Sequence, residues 1–173
     1  MRRGSARLFV AVLLGFAAAL CFGNPGSLLF GLNPTIGGNN IPGKVTLTAP
    51  AGAGGEVVAL TSNVPIPDLP ATITVPAGAT TKAFSFTPNG VDAAQSFSVQ
   101  ASSNGVTVSS TLTVKPAGLH AFAYSPGVVV GGNNTSGVVT LNGAAGPTGT
   151  VVSLTSSSSK VQMPTTIIVP AQA

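Results

Sequence analysis

Residues 95–114 read QSFSVQASSNGVTVSSTLTV. Two runs of alternating residues flank Asn104-Gly105. Asn and Gly both tolerate the positive φ that the central pair of a type I′ turn demands, so this dipeptide is the clearest hairpin signal in the chain. In the first run Phe97, Val99 and Ala101 share one side, with Ser and Gln on the other. Side chains of a strand alternate between faces with a period of two, so each arm has one dry face and one wet face. The stretch therefore predicts two antiparallel strands in a layer with a core on one side.

The same pattern extends outward. Strands are predicted over 28–32, 44–48, 56–62, 71–75, 82–87, 95–102 and 106–114, separated by turn-rich segments at 37–40, 52–55, 65–70, 76–78, 88–90 and 104–105. Alternation puts Val45 with Leu47, Val58 with Leu60, Ile73 with Val75, and Phe84 with Phe86 on buried faces. Seven short, closely turned strands in about 90 residues predict an all-β antiparallel sandwich with a single core. No stretch after the N-terminal leader carries a period of 3.6, so helices are not expected there.

The sequence also repeats itself. Gly37-Gly38-Asn39-Asn40 recurs as Gly131-Gly132-Asn133-Asn134, 94 positions later. In that register Val45-Thr46-Leu47 meets Val139-Thr140-Leu141, and Val57-Val58 meets Val151-Val152. Leu60-Thr61-Ser62 meets Leu154-Thr155-Ser156, Pro70 meets Pro164, and Val75-Pro76-Ala77 meets Val169-Pro170-Ala171. One ungapped register holding so many matches implies a tandem duplication. A period of that length suits a whole domain that owns its core rather than a solenoid unit. The expected organisation is a complete domain over 28–116, a linker over 117–121 and a partial second domain over 122–173 that lacks its last three strands. The natural chain is expected to run on past Ala173.

The N-terminus reads differently. Arg2, Arg3 and Arg7 precede an apolar run at 8–20 (LFVAVLLGFAAAL), and small residues surround the end of it. This is the pattern of a secretory signal-peptide helix over 1–23, with cleavage after Ala19 or Gly23. The run is shorter than the roughly 18–20 residues of a spanning helix, so membrane contact is expected only through this segment if it stays uncleaved. Arg2-Arg3 lacks twin-arginine flanks, which favours the general Sec route. Leu20 before Cys21 makes a poor lipid-anchor site. Cys21 is the only cysteine, so the remainder has neither disulfide nor thiol and must hold itself by apolar burial.

Three of the seven cations belong to that leader. The rest of the chain sets Lys44, Lys82, Lys115 and Lys160 against Glu56, Asp68 and Asp92. Four scattered lysines form no basic stripe, and no aromatic platform accompanies them, which argues against nucleic-acid binding.

The order GGNN, KVTLTAPAGAGGEVVALTS (44–62), LPATITVPAGATTKAFSFT (69–87), FSVQASSNGVTVSSTLTVKP (97–116) resembles bacterial Ig-like repeats of secreted and cell-surface proteins. The segment VPAGATTKAFSFT and the terminal TLTVKP carry the likeness most clearly. The resemblance covers about 28–116 and again 122–173. It implies an Ig-like sandwich, and it leaves the role open between stalk, spacer and adhesive module. The Cys…Trp…Cys core of antibody domains is missing.

The residues that could carry chemistry are sparse. His120 is the sole histidine, lies in the connector and has no acid near it in sequence, so it reads as a solvated linker residue. No nucleophile elbow accompanies the many serines. Glu56, Asp68 and Asp92 are too few and too scattered for an interdomain calcium rim, and Asp68 with Asp92 makes a thin case for a paired-carboxylate hydrolase. The two GGNN segments have no following helix and read as turns rather than anion-binding nests. Asn133-Asn134-Thr135 matches a glycosylation sequon, but in a bacterial setting it is the turn again. Tyr124 matches Phe30 in the repeat register, which points to packing at the first strand of each unit rather than to a sugar platform. The serine run at 156–159 reads as a loop.

No catalytic, cofactor-binding or metal-binding residue is therefore assigned, and no cofactor is expected. The expected function is a non-catalytic structural or adhesive module of an exported surface or secreted protein, with a protein or glycan partner at the cell surface. The alternative is a spacer or carbohydrate-binding module of a larger secreted enzyme whose catalytic domain lies beyond residue 173.

Overall fold

A computed structural model describes residues 23–173. The leader reading falls almost wholly on residues outside that range. The described chain is all-β and contains no helix. Its first eight strands are β1 (Pro25–Phe30), β2 (Thr35–Ile36), β3 (Ile41–Leu47), β4 (Glu56–Ser62), β5 (Thr72–Val75), β6 (Thr81–Phe86), β7 (Gln95–Ser103) and β8 (Val106–Lys115). They form two sheets, a three-stranded one in the order β1-β3-β6 and a five-stranded one in the order β2-β8-β7-β4-β5. The two sheets share one core, a β-sandwich-like arrangement.

The core is where alternation puts it. Val45, Leu47, Val58, Leu60, Ile73, Val75, Phe97, Val99 and Ala101 are all buried, joined by Ile41, Leu112 and Val114. Phe86 is the largest of them at 1% exposure. Its ring meets Phe30 edge-on at 5.6 Å and stacks on Phe84 at 6.0 Å between centroids. Phe84 is half-buried rather than interior. Its ring lies over Gly43, its register partner, where any Cβ would come within 2.5 Å of the ring.

The β7–β8 hairpin turns at Asn104 (φ 49°) and Gly105 (φ 77°), as its sequence predicts. The Asn104 side chain also reaches across to β4, where its Nδ2 donates to Glu56 Oε1 at 3.0 Å. Glu56 is 7% exposed, the only buried acid among the described residues. Replacing Asn104 by Ala leaves that carboxylate without its side-chain donor. The expected cost is about 1–3 kcal/mol of unfolding free energy, read from urea titration of the full chain.

Two features depart from the expected antiparallel pattern. A short strand, β2, has no counterpart among the strands expected from sequence, and it pairs with β8 in parallel, Thr35 with Val114 and Ile36 with Lys115. After β1 the chain crosses to the edge of the other sheet beside β8 and arrives running in the direction of β8. Asn33 extends this contact with its side chain. Its Nδ2 donates to Thr111 O at 2.7 Å, and its Oδ1 accepts from Thr113 N at 2.9 Å. An amide group placed beside an edge strand thus takes the place of a backbone peptide.

The remaining strands are β9 (Leu119–Ser125), β10 (Ser136–Leu141), β11 (Thr150–Ser153) and β12 (Thr166–Val169). β9 starts inside the segment read as a linker, so only the few residues between Lys115 and Leu119 connect strand to strand. β9 pairs with β10, and β11 with β12, both antiparallel. Residues 94 positions apart take equivalent places. Phe30↔Gly43 corresponds to Tyr124↔Gly137, and both pairs of strands shift register at their far end, at Pro25↔Leu47 and Leu119↔Leu141. Glu56↔Val75 corresponds to Thr150↔Val169. The positive-φ positions Gly38, Gly55 and Gly78 correspond to Gly132, Gly149 and Gln172.

Tyr124 does not pack as the Phe30 comparison predicts. It is 58% exposed, and its aromatic neighbour is Phe122, at a tilted 6.2 Å. Phe30 is held by Phe86 on β6, and among the described residues no strand lies against β10 in the place that β6 takes against β3.

Candidate inter-unit interface

The residues with the greatest chemical potential do not converge. Asp68 lies exposed in the loop before β5, and Glu56 is buried under the β7–β8 turn. Asp92 sits exposed in the loop before β7. Among the described residues no three His, Asp or Glu side chains come together. His120 is exposed on β9, not in a linker. It lines an open cleft of about 450 Å³ with Gly38, Asn39, Asn142 and Ala144.

That cleft marks the feature that sequence reasoning missed, a joint between the two strand groups. One side is a pole of the first sandwich, made by residues 37–40 and 88–92. The other is the β10–β11 loop, residues 142–148, together with Gln172. Ala144 N donates to Gly37 O at 2.8 Å, and Thr148 N donates to Asp92 Oδ1 at 3.2 Å. Asn39 Nδ2 donates to Asn142 O at 3.4 Å. Gly90 N donates to Gln172 Oε1 at 3.2 Å. Asp92 and Asn39 thus hold one strand group to the other.

The loops approach so closely that side chains are excluded. A Cβ on Gly38 would lie 2.5 Å from Ala144, one on Gly143 would strike Gly37 O, and one on Gly146 would strike Asp92. The first GGNN segment is thus a turn, as its sequence predicts, and also a contact surface. Its backbone is fixed from behind, because Gly38 N donates to Pro88 O at 2.7 Å and Gly37 N to Lys115 O at 3.2 Å. The connector is held from the other side by Asn142, whose Oδ1 accepts from Gly118 N at 2.8 Å and whose N–H donates to Gly118 O at 3.0 Å.

Gln172 takes a strained backbone conformation. Its φ is 59°, in the left-handed region, where a non-glycine residue gives up about 1–2 kcal/mol. Gly78 holds the matching place in the first sandwich without that penalty. The Gln172 N–H donates to Ala145 O as that of Gly78 does to Ala51 O, so the turn itself sets this φ, and the side chain it carries is the acceptor for Gly90 N.

The joint was hidden because its partners are far apart in the chain and its chemistry is mostly backbone. The one legible signal is a difference between the two segments that share the 94-residue register. The loop TAPAGAG at 48–54 becomes NGAAGPT at 142–148, while the flanking strands keep their pattern. No protein-family model matches the chain, and no curated protein matches it.

Proposed function

We propose that this chain is a non-catalytic, exported module of tandem Ig-like sandwiches that serves as a structural or adhesive segment at a bacterial surface. The observation that carries the reading is the joint. Two strand groups with matching registers, 94 positions apart, meet end to end through backbone hydrogen bonds and glycine contacts. A chain whose inter-unit contact is specified in this way sets spacing and direction between its ends, which is what a stalk or a presenting scaffold needs. The leader pattern supports export, and the resemblance to secreted and cell-surface repeats supports the location.

Two measurements test the proposal. Expressed with its leader in a bacterial host, the protein is expected outside the cytoplasm with an N-terminus at Leu20 or Asn24, read by intact mass. Purified and immobilised, it is expected to bind cells or surface glycans saturably if it is adhesive, and absence of binding leaves the spacer role. Hydrolytic activity that survives purification and is abolished by His120→Ala would overturn the non-catalytic reading.

A further inference from the structure

The two units use the same pole differently. The second unit meets the first through residues 142–148 and Gln172. The corresponding pole of the first unit, residues 48–54 with Gly78, has no second strand group against it among the described residues. A Cβ on Gly52, Gly54 or Gly78 would meet nothing within 4 Å. Both poles are built alike at the backbone. Ala51 N donates to Ala79 O, and Gly78 N to Ala51 O, each at 2.8 Å. Ala145 N donates to Ala173 O at 3.1 Å, and Gln172 N to Ala145 O at 3.0 Å. Thr48 N bonds Asn24 O as Asn142 N bonds Gly118 O. Two scaffolds this similar differ in the groups that make the contact.

We propose that the pole formed by residues 142–148 and Gln172 is a socket for a unit presenting a Gly-Gly-Asn-Asn turn, and that the first unit's matching pole is a cap that accepts no such partner. Three positions separate socket from cap. Ala144 supplies the N–H that reaches Gly37 O, whereas Pro50 has no N–H to give. Gly143 admits Gly37 O where any Cβ would collide, whereas Ala49 carries that Cβ. Gln172 supplies an acceptor to Gly90 N, whereas Gly78 has no side chain. The partner is thus recognised by its backbone, a Gly-Gly turn that is left-handed at Gly38, with Asn and Asp side chains at the rim. The joint is directional: a unit of this kind docks behind the first unit and not in front of it. End-to-end association of whole chains through the first unit's matching pole is thereby suppressed, where a head-to-tail contact that does not close would generate filaments.

The proposal rests on treating the two units as copies of one module, but its test reads joint geometry alone and is independent of export or adhesion. The test uses the full chain and ¹⁵N relaxation, with Gly143→Ala, Ala144→Pro and Gln172→Gly combined. All three replacements are the residues that the first unit carries at the same places, so the second unit's own strand pairs accommodate them. In the unaltered protein, β1–β8 and β9–β12 are expected to share one rotational correlation time. In the triple variant the shared value is lost and β9–β12 report a shorter one, while cross-strand contacts in β9–β10 and β11–β12 persist. The single variant Gln172→Gly relieves the left-handed strain and is expected to abolish exchange protection of the Gly90 amide. Separate correlation times in the unaltered protein, an unchanged shared value in the triple variant, or an unchanged Gly90 amide in Gln172→Gly would each overturn the socket assignment.

Discussion

Replacing Phe86 by alanine is expected to remove about 3–5 kcal/mol from the unfolding free energy of the first sandwich. Phe86 is the largest fully buried side chain among the described residues. It sits on the inner face of β6, opposite Ile41 on β3, and holds both Phe30 and Phe84. Truncation therefore costs the transfer energy of the ring, leaves a cavity, and frees two further aromatic rings from their contacts. Small domains hold only about 5–15 kcal/mol in total, so the variant should lie close to half-unfolded at modest urea. The check is the midpoint of urea unfolding at unchanged slope. A change within about 0.5 kcal/mol, the usual range of surface substitutions, would mean that Phe86 faces solvent and that the whole alternation is inverted. Phe84→Ala, at a half-buried place over Gly43, is the internal comparison and should cost less.

The second large effect is a contrast in hydrogen exchange between the two strand groups. β3 has β1 on one side and β6 on the other, and β4 lies between β5 and β7. β10 and β11 each have one described neighbour, so every other backbone group along their free edges lacks a strand partner among the described residues. Val138, Val151 and Ile168 are more than half exposed. Two-stranded ribbons are marginal in water by themselves, whereas a closed sandwich opens only by global unfolding. At about 1.4 kcal/mol per decade, a stability of roughly 5 kcal/mol or more slows core amides by about three decades or more. Amides of β3, β4, β7 and β8 are expected at that level. Those of β10 to β12 are expected to be clearly less protected, except close to the joint, where the Ala144 amide is bonded to Gly37. Limited proteolysis should cut the 156–165 region first. Equal protection of both groups at every protein concentration would contradict this account. Protection that rises with concentration would instead reveal a strand supplied by another copy.

The strands of the first sandwich were legible because each obeys a local rule. The strand expected over 56–62 matches β4 residue for residue, and the Asn104-Gly105 turn has the backbone its dipeptide demands. β2 escaped because two residues between Pro34 and Gly37 carry no alternation, and its pairing with β8 is set by the crossover rather than by its own sequence. Tyr124 misled because a repeat register reports which backbone place a residue takes, not which neighbours it finds there. The joint was least legible. Its specificity lies in what is absent, Cβ atoms at Gly38, Gly143 and Gly146, and in backbone groups that nearly every residue possesses. Only a comparison of the two loops, with a structure to say which atoms face each other, gives those glycines meaning.

The parallel contact of β2 with β8 has a mechanical consequence. Chain enters the first sandwich at Gly23, beside Ala49, and leaves it at the end of β8, beside residues 35–37. Entry and exit are thus at opposite ends, and a load transmitted along the molecule pulls β8 one way while β2 is drawn the other. Their hydrogen bonds, and the two that Asn33 adds, run across that pull. They are stretched together in shear rather than opened one after another as in a zipper. A patch of two paired residues and one side-chain amide therefore acts as the clasp that a tensile load must break before the sandwich can lengthen.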